Sequence, residues 1–219
     1  MKEPFYAVYG GNGCGRGMMP LAREQLRQLD VPLDRLVFID DNFGEKVVNG
    51  HRVLNYSDFT AIEASEHRVV IAVANSTMRQ KLAERCINDG LKPLTIKALN
   101  ILTMDDVKLG EGAIMSPFVN LTSNIRIGKH FHANMYRYVE YDFVIGDNVT
   151  FAPAVKCNGN IVIEDHAYIG AGAIIKQGKP GKPTVIGQGA VVGMGAVVTK
   201  SISPGNTVVG NPVQQLVKN

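Results

Sequence analysis

The chain is 219 residues long and carries a formal net charge of +3, with lysine and arginine spread along it rather than clustered. This composition argues against a nucleic-acid-binding protein, because such proteins concentrate positive charge on one surface. Three cysteines, Cys14, Cys86 and Cys157, show neither CxxC nor Cys/His spacing, so we expect reduced thiols, a cytoplasmic location and no metal centre. We also expect no signal peptide, because an apolar strand begins within a few residues of Met1, and no membrane association, because no apolar run reaches spanning length.

The first predicted strand, Phe5–Tyr9, runs into a turn that has five glycines among residues 10–17. A helical pattern follows from about Met18 to Leu29. A strand, a glycine-rich turn and a helix open many nucleotide-binding units, in which backbone N–H groups at the helix start meet a phosphate. The spacing does not satisfy GxGxxG in any frame, so a tight turn without a ligand stays an alternative.

A second predicted strand, Leu36–Ile39, ends in the acidic pair Asp40 and Asp41. Such folds carry a carboxylate for a ribose or a base at about this place. An aspartate pair after a strand is also a common turn former, so the pair alone is a weak signal.

The remaining elements up to residue 98 complete a predicted Rossmann-like α/β domain, residues 1–98, by their alternation of strand and helix. We expect His51 and His67 to lie on its surface. The elements are a hairpin segment at Gly50–Val53, a helix at Tyr56–Ala64, a buried strand at Arg68–Ala74, a helix capped by Ser76 or Thr77 and running to Asn88, and a strand at Leu94–Ile96.

The second half of the chain, from about Leu109 to Ser203, has an apolar residue at every sixth position. This period fits neither an α-helix nor a long alternating strand. It is typical of a solenoid in which three hexads close one triangular coil, so that residues eighteen apart stack. The apolar positions are Leu109, Met115, Leu121, Ile127, Ala133, Val139, Ile145, Phe151, Cys157, Ile163, Ile169 and Ile175.

The repeat frame shifts only once, at residues 176–185, and resumes at Ile186. A β-sandwich of short strands is the alternative, but its turns are spaced irregularly. We therefore predict an all-β domain over residues 99–219. His130, His132 and His166 fall on it, with the third more than one coil from the others, and this spacing does not favour a metal site.

Six short segments from both halves share one family pattern. They are FIDD at 38–41, FHAN at 131–134, VTFAP at 149–153, KCNG at 156–159, AYIG at 167–170 and GMGAVVTK at 193–200. In these segments the chain resembles the sialic acid O-acetyltransferase and PglD-like family of sugar acyltransferases, and within it the GDP-perosamine N-acetyltransferases of O-antigen clusters. The resemblance implies a left-handed β-helix with a C-terminal cap, a homotrimer, acetyl-CoA as co-substrate and a nucleotide-linked amino sugar bound by the N-terminal domain.

The resemblance also implies which residues bind the two substrates. For the sugar nucleotide they are Gly11, Gly13, Cys14 and Arg16 in the glycine turn, Asp40 and Asp41 at the base or ribose, and Asn75 and Arg79 near the diphosphate. For acetyl-CoA they are Thr150, Gly159, Gly170, Ala171, Lys176 and Pro212, with Lys176, Lys179 or Lys182 at the phosphates.

The predicted catalytic column contains Ser123, Tyr141 and Gly159, which are eighteen residues apart. In the family, a histidine regarded as the general base stands at the position of Tyr141, and the residue at Gly159 offers its N–H to the acetyl carbonyl oxygen. A tyrosine with an ordinary pKa near 10 is a poor proton acceptor at neutral pH. We therefore expect direct attack by an amine, with Gly159 stabilising the oxyanion and with Tyr141 and Asp142 orienting the amine and accepting its proton.

The leading functional hypothesis is an acetyl-CoA-dependent N-acetyltransferase that acts on the 4-amino group of a nucleotide-linked 4-amino-4,6-dideoxyhexose such as GDP-perosamine. Sugar O-acetylation is the first alternative, but a hydroxyl is a weaker nucleophile than an amine and has more need of the missing histidine. The second alternative is a non-catalytic trimer that binds nucleotide sugars.

Overall fold

The computed structural model describes residues 2–216. The chain divides into two compact units, Met1–Ala98 and Leu99–Asn219. We refer to them as the first and second units.

The first unit contains a six-stranded sheet and three α-helices. Its elements are β1 (Phe5–Tyr9), α1 (Gly13–Arg27), a 3-10 turn (Leu33–Arg35), β2 (Leu36–Ile39), β3 (Val47–Val48), β4 (His51–Leu54), α2 (Tyr56–Ala61), β5 (His67–Ile71), α3 (Ser76–Asn88), β6 (Lys92–Pro93) and β7 (Ile96–Lys97). The sheet order is β3-β4-β2-β1-β5-β6, and only the β3–β4 pair is antiparallel. Strands β1 and β2 are buried along their whole length, as expected for central parallel strands.

Helix α1 begins at Gly13, earlier than the helical pattern in the sequence indicates. Gly15 permits this early start, because a Cβ there would lie 1.7 Å from the Gly10 carbonyl oxygen. Gly10 itself has a φ of +118°, which only glycine adopts without strain. The strand-to-helix turn is therefore tight, and the first turn of α1 lies next to the carboxyl end of β1.

The other helix and strand boundaries differ from the predictions by a few residues. Helix α2 is shorter than predicted, and β5 ends at Ile71 rather than Ala74. The predicted capping residues of α3 are wrong: the side chain of Asn75, one residue earlier, accepts a hydrogen bond of 2.8 Å from Met78 N. Asparagine is among the preferred N-cap residues, so the cap belongs to the first suitable side chain before the helix.

His51 is a buried residue, so the prediction that it lies on the surface is wrong. Its side chain is 7% exposed and packs edge-on against the Phe38 ring. The reason is that β4 pairs with β2 inside the sheet, which the short segment did not indicate. His67 is half-buried against Phe59.

The second unit is a β-helix with three faces of stacked parallel strands. The first face contains β10 (Ile114–Met115), β13 (His132–Ala133), β16 (Thr150–Phe151), β19 (Tyr168–Ile169), β22 (Val191–Val192) and β24 (Thr207–Val209), with β25 (Gln214–Gln215) antiparallel to β24. The second face contains β8 (Leu102–Thr103), β11 (Val119–Leu121), β14 (Arg137–Val139), β17 (Lys156–Cys157), β20 (Ile174–Ile175) and β23 (Val197–Val198). The third face contains β9 (Val107–Leu109), β12 (Ile125–Ile127), β15 (Phe143–Ile145), β18 (Ile161–Ile163) and β21 (Thr184–Ile186).

Strand register confirms the predicted hexapeptide coil and excludes the β-sandwich. Residues eighteen apart are paired on each face, for example Val139 with Cys157. The insertion after Lys176 shifts the register once, since Ile163 pairs with Ile186. Within it, Lys179 and Lys182 form an antiparallel bridge, so the extra residues make a small hairpin outside the coil.

The interior of the coil is a continuous apolar column that includes Met115, Val139 and Ile163. Tight corners separate the faces, and several corner residues, such as Tyr136 and Asp142, adopt left-handed φ values near +55°. We name two of these corners. The first corner, residues 134–136, 152–154 and 170–172, joins the first face to the second. The corner at residues 140–142 and 158–160 joins the second face to the third; it is called the catalytic corner because it carries the residues predicted to be catalytic.

Within residues 2–216, none of the helices combines the length and the apolar character needed to cross a membrane.

Candidate active site

A pocket of about 450 Å³ lies in the first unit where β1, β2 and β5 end. Residues that follow each strand line it, among them Cys14, Asp40 and Val73, and Met78 and Leu82 of α3 form an apolar wall. Crevices at the carboxyl ends of parallel strands are the usual ligand sites of open α/β sheets. The pocket is therefore the candidate substrate site of this unit.

Asp40 fixes the glycine turn at the edge of this pocket. Its Oδ2 accepts a hydrogen bond of 2.8 Å from Gly11 N, and its Oδ1 accepts one of 3.1 Å from Asn42 N. Gly11 cannot be replaced without a shift, because a Cβ there would lie 2.9 Å from the Phe43 ring. Asp40 thus holds the turn as well as lining the pocket.

Asp41 is held by two tyrosines. Its Oδ1 accepts a hydrogen bond of 2.7 Å from Tyr56 N, and its Oδ2 accepts one of 3.2 Å from the Tyr9 hydroxyl. Burial and the neighbouring Asp41 carboxylate raise the pKa of Tyr9, so its hydroxyl stays protonated and a donor. The guanidinium of Arg85 lies 3.8 Å from Asp41 and stacks on Tyr56.

The two residues predicted near a diphosphate, Asn75 and Arg79, both form hydrogen bonds with the backbone of the first unit. Asn75 caps α3, as described above. Arg79 is completely buried and donates to the carbonyl oxygens of Val73 (2.9 Å) and Ala74 (3.3 Å), so it supports the pocket wall from beneath. Burial lowers the pKa of Arg79 to about 10 and raises the pKa of the Cys14 thiol, an effect that Arg79 partly opposes.

Gly13 and Arg16 are exposed in the first turn of α1. That turn has no acidic residue, and Asn12 makes no side-chain cap there. The backbone N–H groups of a helix start and its dipole favour an anion, and Arg16 adds a positive charge. These features suit a phosphate group.

The catalytic corner of the second unit brings Tyr141, Asp142 and Gly159 together. The Tyr141 ring covers Gly159 so closely that a Cβ at residue 159 would lie 2.6 Å from Tyr141 Cε2. Tyr141 is 46% exposed, and Asp142 Oδ1 accepts a hydrogen bond of 3.1 Å from Asn124 Nδ2. A ring hydroxyl and a carboxylate therefore stand beside a residue that has no side chain.

The backbone of Gly159 carries a donor that the coil does not use. Asn160 N donates to Tyr141 O (3.0 Å) and Asn158 N donates to Ile175 O (3.3 Å). The Gly159 N–H between them has no acceptor in the part of the chain that the structure describes. A preorganised N–H of this kind can stabilise a developing oxyanion.

Among the residues predicted to contact acetyl-CoA, Gly159 lies at the catalytic corner and Lys176 adjoins it, whereas the others lie on other parts of the coil. Thr150 is buried on the first face. Gly170, which is buried, and Ala171, which is exposed, lie at the first corner. Lys176 and Pro212 are exposed, the first at the start of the insertion and the second between β24 and β25. Within one chain, the catalytic corner and Thr150 are therefore separated by the second face.

The sequence did not indicate several residues that the structure brings to these sites. Tyr9, Asn12 and Asn42 line the pocket, and the available signal was their place at the end of a strand or within three residues of it. At the catalytic corner, Gly178 N of the insertion donates to Gly159 O (3.1 Å). This contact had no signal in the sequence, because the hairpin interrupts the repeat.

In residues 2–216, no three side chains of the metal-binding types His, Cys, Asp and Glu are grouped to hold an ion. His130 and His132 are both buried, the latter stacked in register with Thr150.

Comparisons with known proteins agree with this architecture. Residues 160–200 match the family model described as the hexapeptide repeat of succinyl-transferase. Over 211 residues, which cover 96% of each chain, the protein is 46% identical to the GDP-perosamine N-acetyltransferase of Escherichia coli O157:H7. The solved structure of WeeI from Acinetobacter baumannii AYE is 52% identical, with a TM-score of 0.94 over 97% of this chain and 100% of that one.

A more distant structure shares the fold. PerB from Caulobacter crescentus, solved in complex with CoA and GDP-perosamine, has a TM-score of 0.84 at 21% identity, over 97% of each chain. The resemblance to sugar acyltransferases is confirmed by the E. coli relative, and the coil has the left-handed β-helix fold of hexapeptide-repeat proteins. The chain therefore belongs to the hexapeptide-repeat acetyltransferase family.

Proposed function

We propose that this protein transfers the acetyl group of acetyl-CoA to the 4-amino group of GDP-perosamine. The observation that carries the proposal is the 46% identity, over nearly the full length of both chains, to a GDP-perosamine N-acetyltransferase. The pocket at the glycine turn and the Gly159 N–H, which makes no backbone hydrogen bond among the described residues, support the proposal.

The first unit, a Rossmann-like domain in this proposal, binds the nucleotide. The N–H groups at the start of α1 and Arg16 would meet the diphosphate, whereas Asp40 and Asp41 would face the ribose or base. Arg79 and Asn75 would act from beneath, because both are already engaged with the backbone of the first unit.

The second unit carries out the transfer. The neutral amine attacks the thioester carbonyl carbon, and the Gly159 N–H stabilises the oxygen as it becomes negative. Tyr141 and Asp142 orient the amine, and Asp142 or a water accepts the proton that the nitrogen loses. The carbon–sulfur bond then breaks, CoA leaves as a thiolate that takes up a proton, and the amide remains on the sugar.

Assembly into a homotrimer would complete the acetyl-CoA site. Thr150 and the first corner lie across the second face from Tyr141 in a single chain, so one thioester cannot reach both. A neighbouring copy can bring its own first face beside this catalytic corner. In this proposal the trimer works in the cytoplasm and supplies an acetylated sugar for an O-antigen or related surface polysaccharide.

The test measures release of free CoA thiol on mixing the protein with acetyl-CoA and GDP-perosamine. GDP-6-deoxymannose is the matched control, because it has a hydroxyl where GDP-perosamine has the 4-amine. We expect thiol release with the amine and none above background with the hydroxyl. Equal release with both would favour O-acetylation, and the absence of release with every nucleotide-linked amino sugar would leave only a binding protein.

A further inference from the structure

Arg137 is a charged residue in the interior of the β-helix, on the second face. Its side chain is 2% exposed and lies over the Phe151 ring. In the neighbouring coils the same inward position is occupied by Val119, paired with Arg137 in register, and by Val155. The coil therefore accepts an aliphatic residue at this position, and a guanidinium is not needed to build it.

The guanidinium is only partly satisfied. Its Nη2 donates to the carbonyl oxygens of Phe151 (2.6 Å) and Ala152 (3.3 Å). Its Nε and Nη1 have no hydrogen-bond partner within residues 2–216. Burial lowers the pKa of Arg137, with only the buried Cys157 thiol nearby as a weak opposing influence. An incompletely paired buried charge is costly, so its presence calls for a role other than stability.

The two carbonyl groups that Arg137 holds lie where β16 runs into the first corner. Thr150 directly precedes them, and Gly170 and Ala171 occupy the same corner one coil further on. Phe151 O also accepts hydrogen bonds from Asn134 N (3.1 Å) and Asn134 Nδ2 (3.2 Å). The backbone of this corner is thus fixed by Arg137 in addition to the ordinary ladder.

We propose that Arg137 is a positioning residue that fixes the first corner for acetyl-CoA, at the expense of the stability of the coil. The inference rests on the proposed function, because it assigns the first corner to the acetyl-CoA site. Arg137 does not touch either substrate in this account. It acts through the backbone of Phe151 and Ala152, and removing it would let the cofactor-binding corner move.

The test compares Arg137→Met with Arg126→Met. The first change keeps an unbranched apolar side chain and removes the buried charge, while Phe151 O retains its two bonds from Asn134. Arg126 is the matched control. It lies on β12 of the third face, and its guanidinium forms an exposed ion pair with Asp106. Arg137→Lys, which keeps the charge and one donor group, should give an intermediate effect.

For Arg137→Met we expect the KM for acetyl-CoA and the calorimetric Kd for CoA to rise by about tenfold or more, because small misplacements of a binding group have large effects. The KM for GDP-perosamine should stay within about twofold, since the first unit is untouched. The Tm should stay the same or rise by about 2–4 °C. Arg126→Met should leave both constants unchanged and lower the Tm slightly, if at all.

The inference is overturned if Arg137→Met leaves CoA binding within twofold of the unchanged protein. It is equally overturned if the variant loses several degrees of Tm or fails to fold, because Arg137 is then a structural residue. The Kd for CoA does not depend on turnover, so a protein that binds CoA without acetylating GDP-perosamine contradicts the proposed acceptor and still tests Arg137. A protein that does not bind CoA contradicts both proposals.

Discussion

Tyr141 and Gly159 form a coupled pair at the catalytic corner. The ring occupies the space that a side chain at residue 159 would need, so glycine is required there as long as the tyrosine is present. The family resemblance places a histidine at this position, so Tyr141 departs from the family pattern. In the proposed mechanism Tyr141 therefore orients the amine, and Asp142 or a water accepts the proton.

Replacing Tyr141 by Phe removes the hydroxyl and keeps the ring. We expect kcat to fall about three- to tenfold, the size of one hydrogen bond that orients the amine. Tyr6→Phe in the first unit is the matched control and should leave kcat unchanged. A kcat for Tyr141→Phe within twofold of the unchanged protein would show that the hydroxyl has no part in the reaction.

Replacing Gly159 by Ala should displace the Tyr141 ring and cover the N–H donor. Loss of an oxyanion donor lowers kcat by about 10²- to 10³-fold, and we expect a loss approaching this range with little change in the KM for GDP-perosamine. Gly17→Ala is the control, because a Cβ there meets no atom within 4 Å and alanine favours the helix. Steady-state kinetics on both variants checks this, and full activity of Gly159→Ala would contradict the assigned donor.

Among the elements, the glycine turn between β1 and α1 depends on one carboxylate from β2. Asp40→Ala removes the acceptor of both Gly11 N and Asn42 N, so the turn loses its tie to the neighbouring strand. We expect the KM for GDP-perosamine to rise about tenfold while the KM for acetyl-CoA stays the same. Asp58→Ala on α2 is a control at an exposed carboxylate. If both KM values rose together, the turn would be a folding element and not a substrate site.

The hairpin inserted after β20 begins and ends at the catalytic corner. Gly178 N donates to Gly159 O, and Thr184 N donates to Asn160 O. Its exposed lysines can meet the phosphates of CoA as point charges.

The triple change of Lys176, Lys179 and Lys182 to Ala should raise the Kd for CoA by about tenfold at low salt, and the difference should shrink above about 0.5 M salt because of screening. Calorimetry over a salt series measures it. A Kd for CoA that does not change at low salt would place the phosphates elsewhere.

The strands whose positions are set by the hexapeptide period were predicted well, whereas features that depend on long-range packing were not. The hexads gave the register of the coil, including its one shift, because every coil repeats the same inward apolar positions. Helix α1 was predicted to start too late, since the helical pattern contains no trace of the Gly10–Gly15 contact. The burial of His51 depends on neighbours that are distant in sequence, and the residues alone do not indicate it.

At the scale of the whole molecule, the chain combines a nucleotide-sized pocket in one unit with a catalytic corner in the other. The glycine turn and the hexads are local patterns, so the sequence alone carried the family resemblance that the E. coli relative confirms. It did not predict that Asn75 and Arg79 are engaged with the backbone of the first unit. This engagement depends on three-dimensional packing, which a local sequence pattern does not show.

A crystal structure of the protein with both CoA and GDP-perosamine tests the central claim most directly. We predict that the 4-amino nitrogen lies within hydrogen-bonding distance of Tyr141 or Asp142, and that the CoA sulfur lies within about 4–5 Å of the Gly159 N–H, where a thioester carbonyl could accept its hydrogen bond. The CoA chain should run along Thr150 and Ala171 of a neighbouring copy. A complex in which the amine or the sulfur lies away from the catalytic corner would contradict the account.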